Sequence, residues 1–261
     1  MKPILSLSDV SFSYHQLSGE TKALENISFT INPGEFIAIV GPSGCGKSTL
    51  LSLIAGLHSP EEGTILLNES PIEAERSRIG YMLQKDHLFE WRTILDNVTL
   101  GLEIQNRLNG SSLANATKLL KTYGLGDFLS ARPSGLSGGM RQRAALIRTL
   151  VLEPDLLLLD EPFSALDYQT RLTVADDIWK IIKSEHKTAI LVTHDLSEAV
   201  SMADRILILS KRPGKLTKDL SVRFDHLENA TPMNRRNTEE FKTYFNLVWK
   251  ELNTLDDSSK E

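Results

Sequence analysis

Phe36-Ile37-Ala38-Ile39-Val40 leads into Gly41-Pro42-Ser43-Gly44-Cys45-Gly46-Lys47-Ser48-Thr49 and then into Leu50-Leu51-Ser52-Leu53-Ile54-Ala55. An unbroken apolar pentad reads as a parallel strand buried on both faces. The glycine-rich loop after it, followed at once by a helical run, has the strand–loop–helix context that a phosphate-binding loop requires. Glycines let the backbone curl so that successive N–H groups and the helix N-terminus face an anion. In such a loop Lys47 reaches the β- and γ-phosphates of a nucleotide and the Ser48 hydroxyl holds Mg²⁺. Gly41, Pro42, Ser43, Gly44, Cys45, Gly46 and Thr49 complete the cradle. Cys45 has no neighbouring histidine and no second cysteine to pair with, so it reads as a space-filler rather than a nucleophile.

Downstream, strand and helix alternate. A helix is expected over Met140–Leu152, a strand at Leu156–Asp160, a helix around Arg171–Lys183, a strand at Ala189–Thr193, a helix at Leu196–Met202 and a strand at Ile206–Leu209. Strict alternation implies a mostly parallel sheet covered on its faces. The strand Leu156-Leu157-Leu158-Leu159-Asp160 ends in acids, where ligand sites of parallel sheets gather. With a phosphate loop upstream, Asp160 is assigned to the metal shell and Glu161 to polarising a water for in-line attack. The N-terminal third holds further short strands, Ile4–Leu7, Ala23–Ile31, Thr64–Leu67 and Ile79–Met82. From Arg92 to Pro133 the pattern turns helical, with apolar positions such as Leu113, Leu119, Leu120 and Leu125. Near the end Phe241, Tyr244, Phe245, Val248, Trp249 and Leu252 share a helical stripe, read as packing on the chain's own domain, with Asn237 and Glu240 placed as its cap. The tail beyond Leu255 is expected to fray.

Composition narrows the function classes. The 261 residues are 41% hydrophobic and 24% charged, an ordinary globular balance. Net charge is −5 and the cations are interleaved with acids, which leaves no electrostatic footprint for nucleic acid. One cysteine rules out an internal disulfide and fits a reducing compartment. No apolar run reaches the roughly 18 residues of a membrane span, and Met1-Lys2-Pro3-Ile4-Leu5-Ser6 opens straight into a strand-like pattern rather than a signal peptide. Any membrane role is expected to come through another protein.

Leu136-Ser137-Gly138-Gly139-Met140-Arg141-Gln142-Arg143 resembles the signature motif of ABC ATPases. Other landmarks of that family follow in order: Tyr14 resembles the aromatic that stacks on adenine, Gln84 the residue linking Mg²⁺ and water to the membrane partner, Ser164-Ala165-Leu166-Asp167 the loop crossing the dimer interface, and His194 the switch histidine on the γ-phosphate. The resemblance implies an α/β fold, a phosphate-loop ATPase core with an N-terminal antiparallel β subdomain and an inserted helical subdomain. The resemblance spans roughly Ile4 to Leu209; with the pattern of the rest of the chain, one ATPase domain is expected over residues 1–233, the helical subdomain at about 90–137, and a C-terminal amphipathic helix and tail at 234–261. The resemblance also implies ATP and Mg²⁺, and a homodimer in which Ser137, Gly138 and Gly139 of one chain close over the γ-phosphate bound to the other. It further implies two integral-membrane permease subunits, an indirect link to a solute-binding protein, and a peripheral place on the cytoplasmic face of the membrane. Met140, where many members carry Gln, and Trp91-Arg92-Thr93-Ile94-Leu95-Asp96-Asn97-Val98 resemble the nitrate, sulfonate and taurine importer branch, although Phe89-Glu90 stands where that branch often has Pro. The same branch includes transporters of thiamine-precursor pyrimidines and riboflavin. Soluble ABC ATPases of DNA repair or translation share the motifs, but usually with paired ATPase units, a coiled-coil insertion or a basic arm, which this sequence lacks.

Overall fold

The computed structural model describes residues 2–16, 19–228 and 230–257. The chain opens with β1 (Leu5–Gln16), β2 (Gly19–Ile31) and β3 (Phe36–Val40), followed by α1 (Lys47–Ile54), β4 (Glu62–Leu67), β5 (Ser70–Pro71) and β6 (Ile79–Met82). Helices α2 (Ile94–Ile104), α3 (Gly110–Thr122) and α4 (Gly138–Leu150) come next. The remainder alternates as β7 (Leu156–Asp160), α5 (Tyr168–Ser184), β8 (Thr188–Val192), α6 (Leu196–Met202), β9 (Arg205–Leu209) and β10 (Leu216–Ser221), and ends in α7 (Pro232–Arg235) and α8 (Glu239–Asp257).

Two sheets result. An antiparallel sheet runs β2-β1-β4-β5, and a six-stranded sheet runs β10-β9-β3-β8-β7-β6, parallel at every pairing except that of β10 with β9. Every residue of β3 and β8 is buried, and the period of two divides these strands between two cores. Phe36, Ala38 and Val40 face the α5 and α6 side with Leu157, Leu159 and Leu191. Ile37 and Ile39 face Leu50, Leu53 and Ile54 of α1 and the antiparallel sheet's Leu5, Leu7 and Ile27. A third cluster joins Ile94, Val98 and Leu102 of α2 and Leu119 and Leu120 of α3 to Ala144 and Ile147 of α4.

Several elements depart from the sequence reading. β1 runs on to Gln16 because Asp9, at φ 51, and register shifts between Leu7 and Ser13 break the alternation that would have revealed it. β10 escapes the pattern because it is an edge strand with alternating half-exposed residues. α4 starts at Gly138, two residues before the expected Met140. Leu113 is 41% exposed, on the outer side of α3. The cap of α8 is Thr238, whose Oγ1 accepts from Phe241 N at 3.2 Å, whereas Asn237 Nδ2 donates to Met233 O. Val248 is buried against the main core together with Phe241, Phe245 and Leu252, but Trp249 lies off that stripe and is 56% exposed. The helix continues to Asp257, and the rest of the tail lies outside the described residues.

Candidate nucleotide site

The loop after β3 turns into α1 at Gly46, the N-cap residue, at φ 105. A Cβ there would stand 2.8 Å from Leu24 Cδ2 and 2.9 Å from Ala23 O, so a side chain is excluded both by conformation and by contact with β2. Lys47 Nζ donates to the carbonyls of Gly41 at 2.8 Å and Pro42 at 3.0 Å, which folds its ammonium over the loop it belongs to. Cys45 is buried in the core, and that burial pushes its thiol up, away from the reactive thiolate. Its side chain lines none of the cleft above.

That cleft, about 560 Å³, is bounded by Ser43, Gly44, Lys47, Ser48 and Thr49 on the loop side and by Glu161 and His194 opposite. Tyr14 stands at its edge with its hydroxyl 3.2 Å from Thr49 Oγ1 and its ring braced edge-on by Phe12, centroids 5.0 Å apart. Asp160 ends β7 and accepts from the Tyr81 hydroxyl at 3.3 Å. Burial raises its carboxyl above the usual range, against the pull of Tyr81 and of the Ser48 hydroxyl. Ser48 and Asp160 therefore put two hard oxygen donors side by side. No group of three or more His, Cys, Asp or Glu side chains forms a metal cage among the described residues. That donor set fits Mg²⁺, which keeps waters and phosphate oxygens in its shell and takes one or two protein oxygens.

Glu161 adopts the left-handed conformation at φ 45, which a non-glycine residue holds only where its surroundings over-determine it. Its N–H is fixed by Val192 O at 2.8 Å and its carbonyl accepts from Ser164 N and Oγ. Glu161 Oε2 thereby comes within 3.2 Å of His194 Nδ1 and 3.4 Å of Gln84 Nε2, which also donates to Ser164 Oγ at 3.2 Å. Residues from three separate segments meet on one carboxylate. Ser137, Gly138 and Gly139 do not join them within the chain. They form the start of α4, with Ser137 Oγ capping Met140 N at 3.3 Å and Gly139 seated on Val174, away from the cleft lining.

The profile of the ABC transporter family matches residues 24–164. The chain belongs to the ABC transporter family. It is an ABC ATP-binding subunit, an ATPase whose hydrolysis is coupled to transport. It is 46% identical over 252 residues to the uncharacterized ABC transporter ATP-binding protein YtlC of Bacillus subtilis, covering 97% of this chain and 96% of that protein. It is 36% identical to the aliphatic sulfonates import ATP-binding protein SsuB of Bacillus cereus, covering 91% of each. It is 38% identical to the taurine import ATP-binding protein TauB of Ruegeria pomeroyi, covering 82% of this chain and 81% of that one. Among solved structures, the dimeric post-hydrolysis state of the ATP-binding cassette MJ0796 with ADP and Pi superposes with a TM-score of 0.69 at 30% identity, covering 84% of this chain and 99% of that one.

Two residues of this ABC subunit's site escaped sequence reading. Tyr81, half-buried beside Asp160, carries no motif. Arg212 lines the cleft and donates Nε–H to Gly44 O at 3.2 Å, from a turn 168 residues downstream of that glycine. The only trace of it in the sequence is the dipeptide Pro213-Gly214, an ordinary turn signal. No helix among the described residues is long and apolar enough to cross a membrane.

Proposed function

We propose that the chain works as a homodimer beneath two integral-membrane permease subunits, on the cytoplasmic face of the membrane, and energises import of an aliphatic sulfonate or taurine delivered by a solute-binding protein. The observation that carries the ATPase part is the convergence of Gln84, Glu161 and His194 over a phosphate loop. Lys47 would exchange its two loop carbonyls for the phosphates, Tyr14 would lie against the adenine, and the N–H groups of Gly44 to Thr49 would cradle the charge. Ser48 and Asp160, with Gln84, would hold Mg²⁺, which supplies charge neutralisation between the phosphates. Glu161 accepts the proton of the attacking water, and His194 Nδ1, 3.2 Å from that carboxylate, orients it towards the γ-phosphate. The position of Ser137, Gly138 and Gly139 outside their own chain's cleft supports an arrangement in which each pair of cassettes sandwiches two ATP molecules.

The importer names of the SsuB and TauB relatives support the sulfonate reading, together with Met140 and the Trp91–Val98 segment, where Trp91 is 71% exposed beside Phe89, on a surface suited to the permease. Tagged Glu161→Gln protein, incubated with ATP and Mg²⁺ and recovered from detergent-solubilised native membranes, is expected to bring a polytopic membrane protein and a solute-binding protein. Calorimetry on that binding protein should rank taurine or an alkanesulfonate above nitrate, riboflavin and a thiamine-precursor pyrimidine. Tightest binding of any of the latter three would overturn the substrate, and recovery of ribosomes or DNA-repair factors alone would overturn the partner assignment.

A further inference from the structure

The turn between β9 and β10 is pinned to the nucleotide cleft from several sides. Ser210 N donates to Lys215 O at 2.9 Å, Lys215 N returns a bond to Ser210 Oγ at 2.9 Å, and that hydroxyl also bonds Pro213 O at 3.1 Å. Gly214 N donates to Ala23 O and Gly214 O accepts from Glu25 N, stitching the turn to β2. A Cβ on Gly214 would fall 2.2 Å from Cys45 O, so the turn sits in direct contact with the phosphate loop and tolerates only glycine there. From this braced turn Arg212 projects into the cleft with its Nε on Gly44 O and Nη2 3.8 Å from where a Gly44 Cβ would be. Among the described residues lining the cleft, Lys47 and Arg212 are the two with a permanent positive charge.

We propose that Arg212 is a second phosphate-binding cation of this subunit, its guanidinium gripping the nucleotide's polyphosphate together with Lys47 while Nε holds the loop at Gly44. The proposal rests on reading the cleft as the nucleotide site. A guanidinium has donors to spare after one bond to a carbonyl, and its planar fork matches a phosphate edge. In a concave site a second cation both binds and concentrates an anion. A fluorescent ATP analogue is titrated into wild type, Arg212→Gln, Arg212→Lys and Lys47→Ala at about 50 and 300 mM salt, a range over which screening changes strongly. Arg212→Gln is expected to raise Kd about tenfold at the lower salt and to flatten its salt dependence, while Arg212→Lys recovers most of the affinity because it keeps the charge. Loss of binding in Lys47→Ala with Arg212→Gln at the wild-type Kd would overturn the role of Arg212 alone. Equal losses in Arg212→Gln and Arg212→Lys with the wild-type salt slope would reduce Arg212 to a brace for the turn and also overturn it. Unchanged binding in Lys47→Ala would instead overturn the nucleotide cleft itself.

Discussion

Glu198, in the first turn of α6 and four residues beyond His194, is 4% exposed, held by the Thr193 hydroxyl at 2.6 Å with Arg171 Nε 3.9 Å away. Burial is the main force on it and pushes its carboxyl up to about 7, from an ordinary value of 4.5. Between about pH 4.5 and 7 the folded chain keeps a proton that the unfolded chain has released, so this residue's contribution to stability is greatest at low pH and is lost as pH rises through 7. Glu198→Gln, which keeps the acceptor for Thr193 and removes the titration, should hold its melting temperature more nearly constant from pH 5 to 8 than wild type, and should exceed it at pH 8. Parallel melting curves across that range for the two proteins would remove Glu198 as the cause. At this scale the motifs singled out Lys47, Ser48 and Glu161, which the structure brings to one cleft, and Asp160, which precedes Glu161 at the end of β7. The sequence was silent on Glu198, Tyr81 and Arg212, because burial of a carboxyl, a tyrosine beneath a strand end and a turn brought back to the loop are tertiary facts with no local pattern.

Helix α4 belongs to two cores at once. Ala145, Leu146 and Leu150 pack into the main sheet's core, whereas Ala144 and Ile147 pack against α2 and α3. From the same helix Arg148 donates to the backbone carbonyls of Asp86 at 2.6 Å and His87 at 2.8 Å, and Arg141 pairs with Asp86 at 3.2 Å. The segment that follows Gln84 is thus held by the helix that begins with Ser137-Gly138-Gly139. Ile147→Ala leaves a cavity between α4 and the helical pair and should cost about 3 kcal/mol, read as a lowered denaturation midpoint. A midpoint unchanged from wild type would mean that this seam is not packed as described. The parallel strands were legible from unbroken apolar runs, and Leu156–Asp160 and Ile79–Met82 match their expected bounds. The antiparallel strands were legible only in part: β2 and β4 were read short of their first residues, β1 was read only as far as Leu7 because its bulges break the alternation, and β10, a largely polar edge strand, was missed. The cap of α8 fell to Thr238 rather than Asn237 because the Asn side chain is drawn back to Met233 O, a choice made by α7 and invisible in the local sequence.

On the scale of the whole molecule, Gln84 and His194 meet on Glu161 by the cleft while the helix start at Ser137 lies outside the cleft lining, and in the proposed dimer these would be the two halves of one site. A second copy related by a two-fold axis would supply the missing half to each cleft, as an isologous interface requires. ATP would then shift the population towards the closed pair in proportion to its preference for that state, about 5.5 kcal/mol being needed to turn a 1:99 equilibrium into 99:1, and hydrolysis would remove the preference. Glu161→Gln would separate these steps, because it keeps the shape of the side chain and removes the proposed base. The direct measurement is multi-angle light scattering of Glu161→Gln with Mg²⁺ and either ATP or ADP, paired with a phosphate-release assay. Turnover at least about a hundredfold below wild type, with a doubled mass in ATP and a single-chain mass in ADP, is the expected result. Turnover at the wild-type rate, or a mass indifferent to ATP, would contradict the assignment of Glu161 and the shared site built on it.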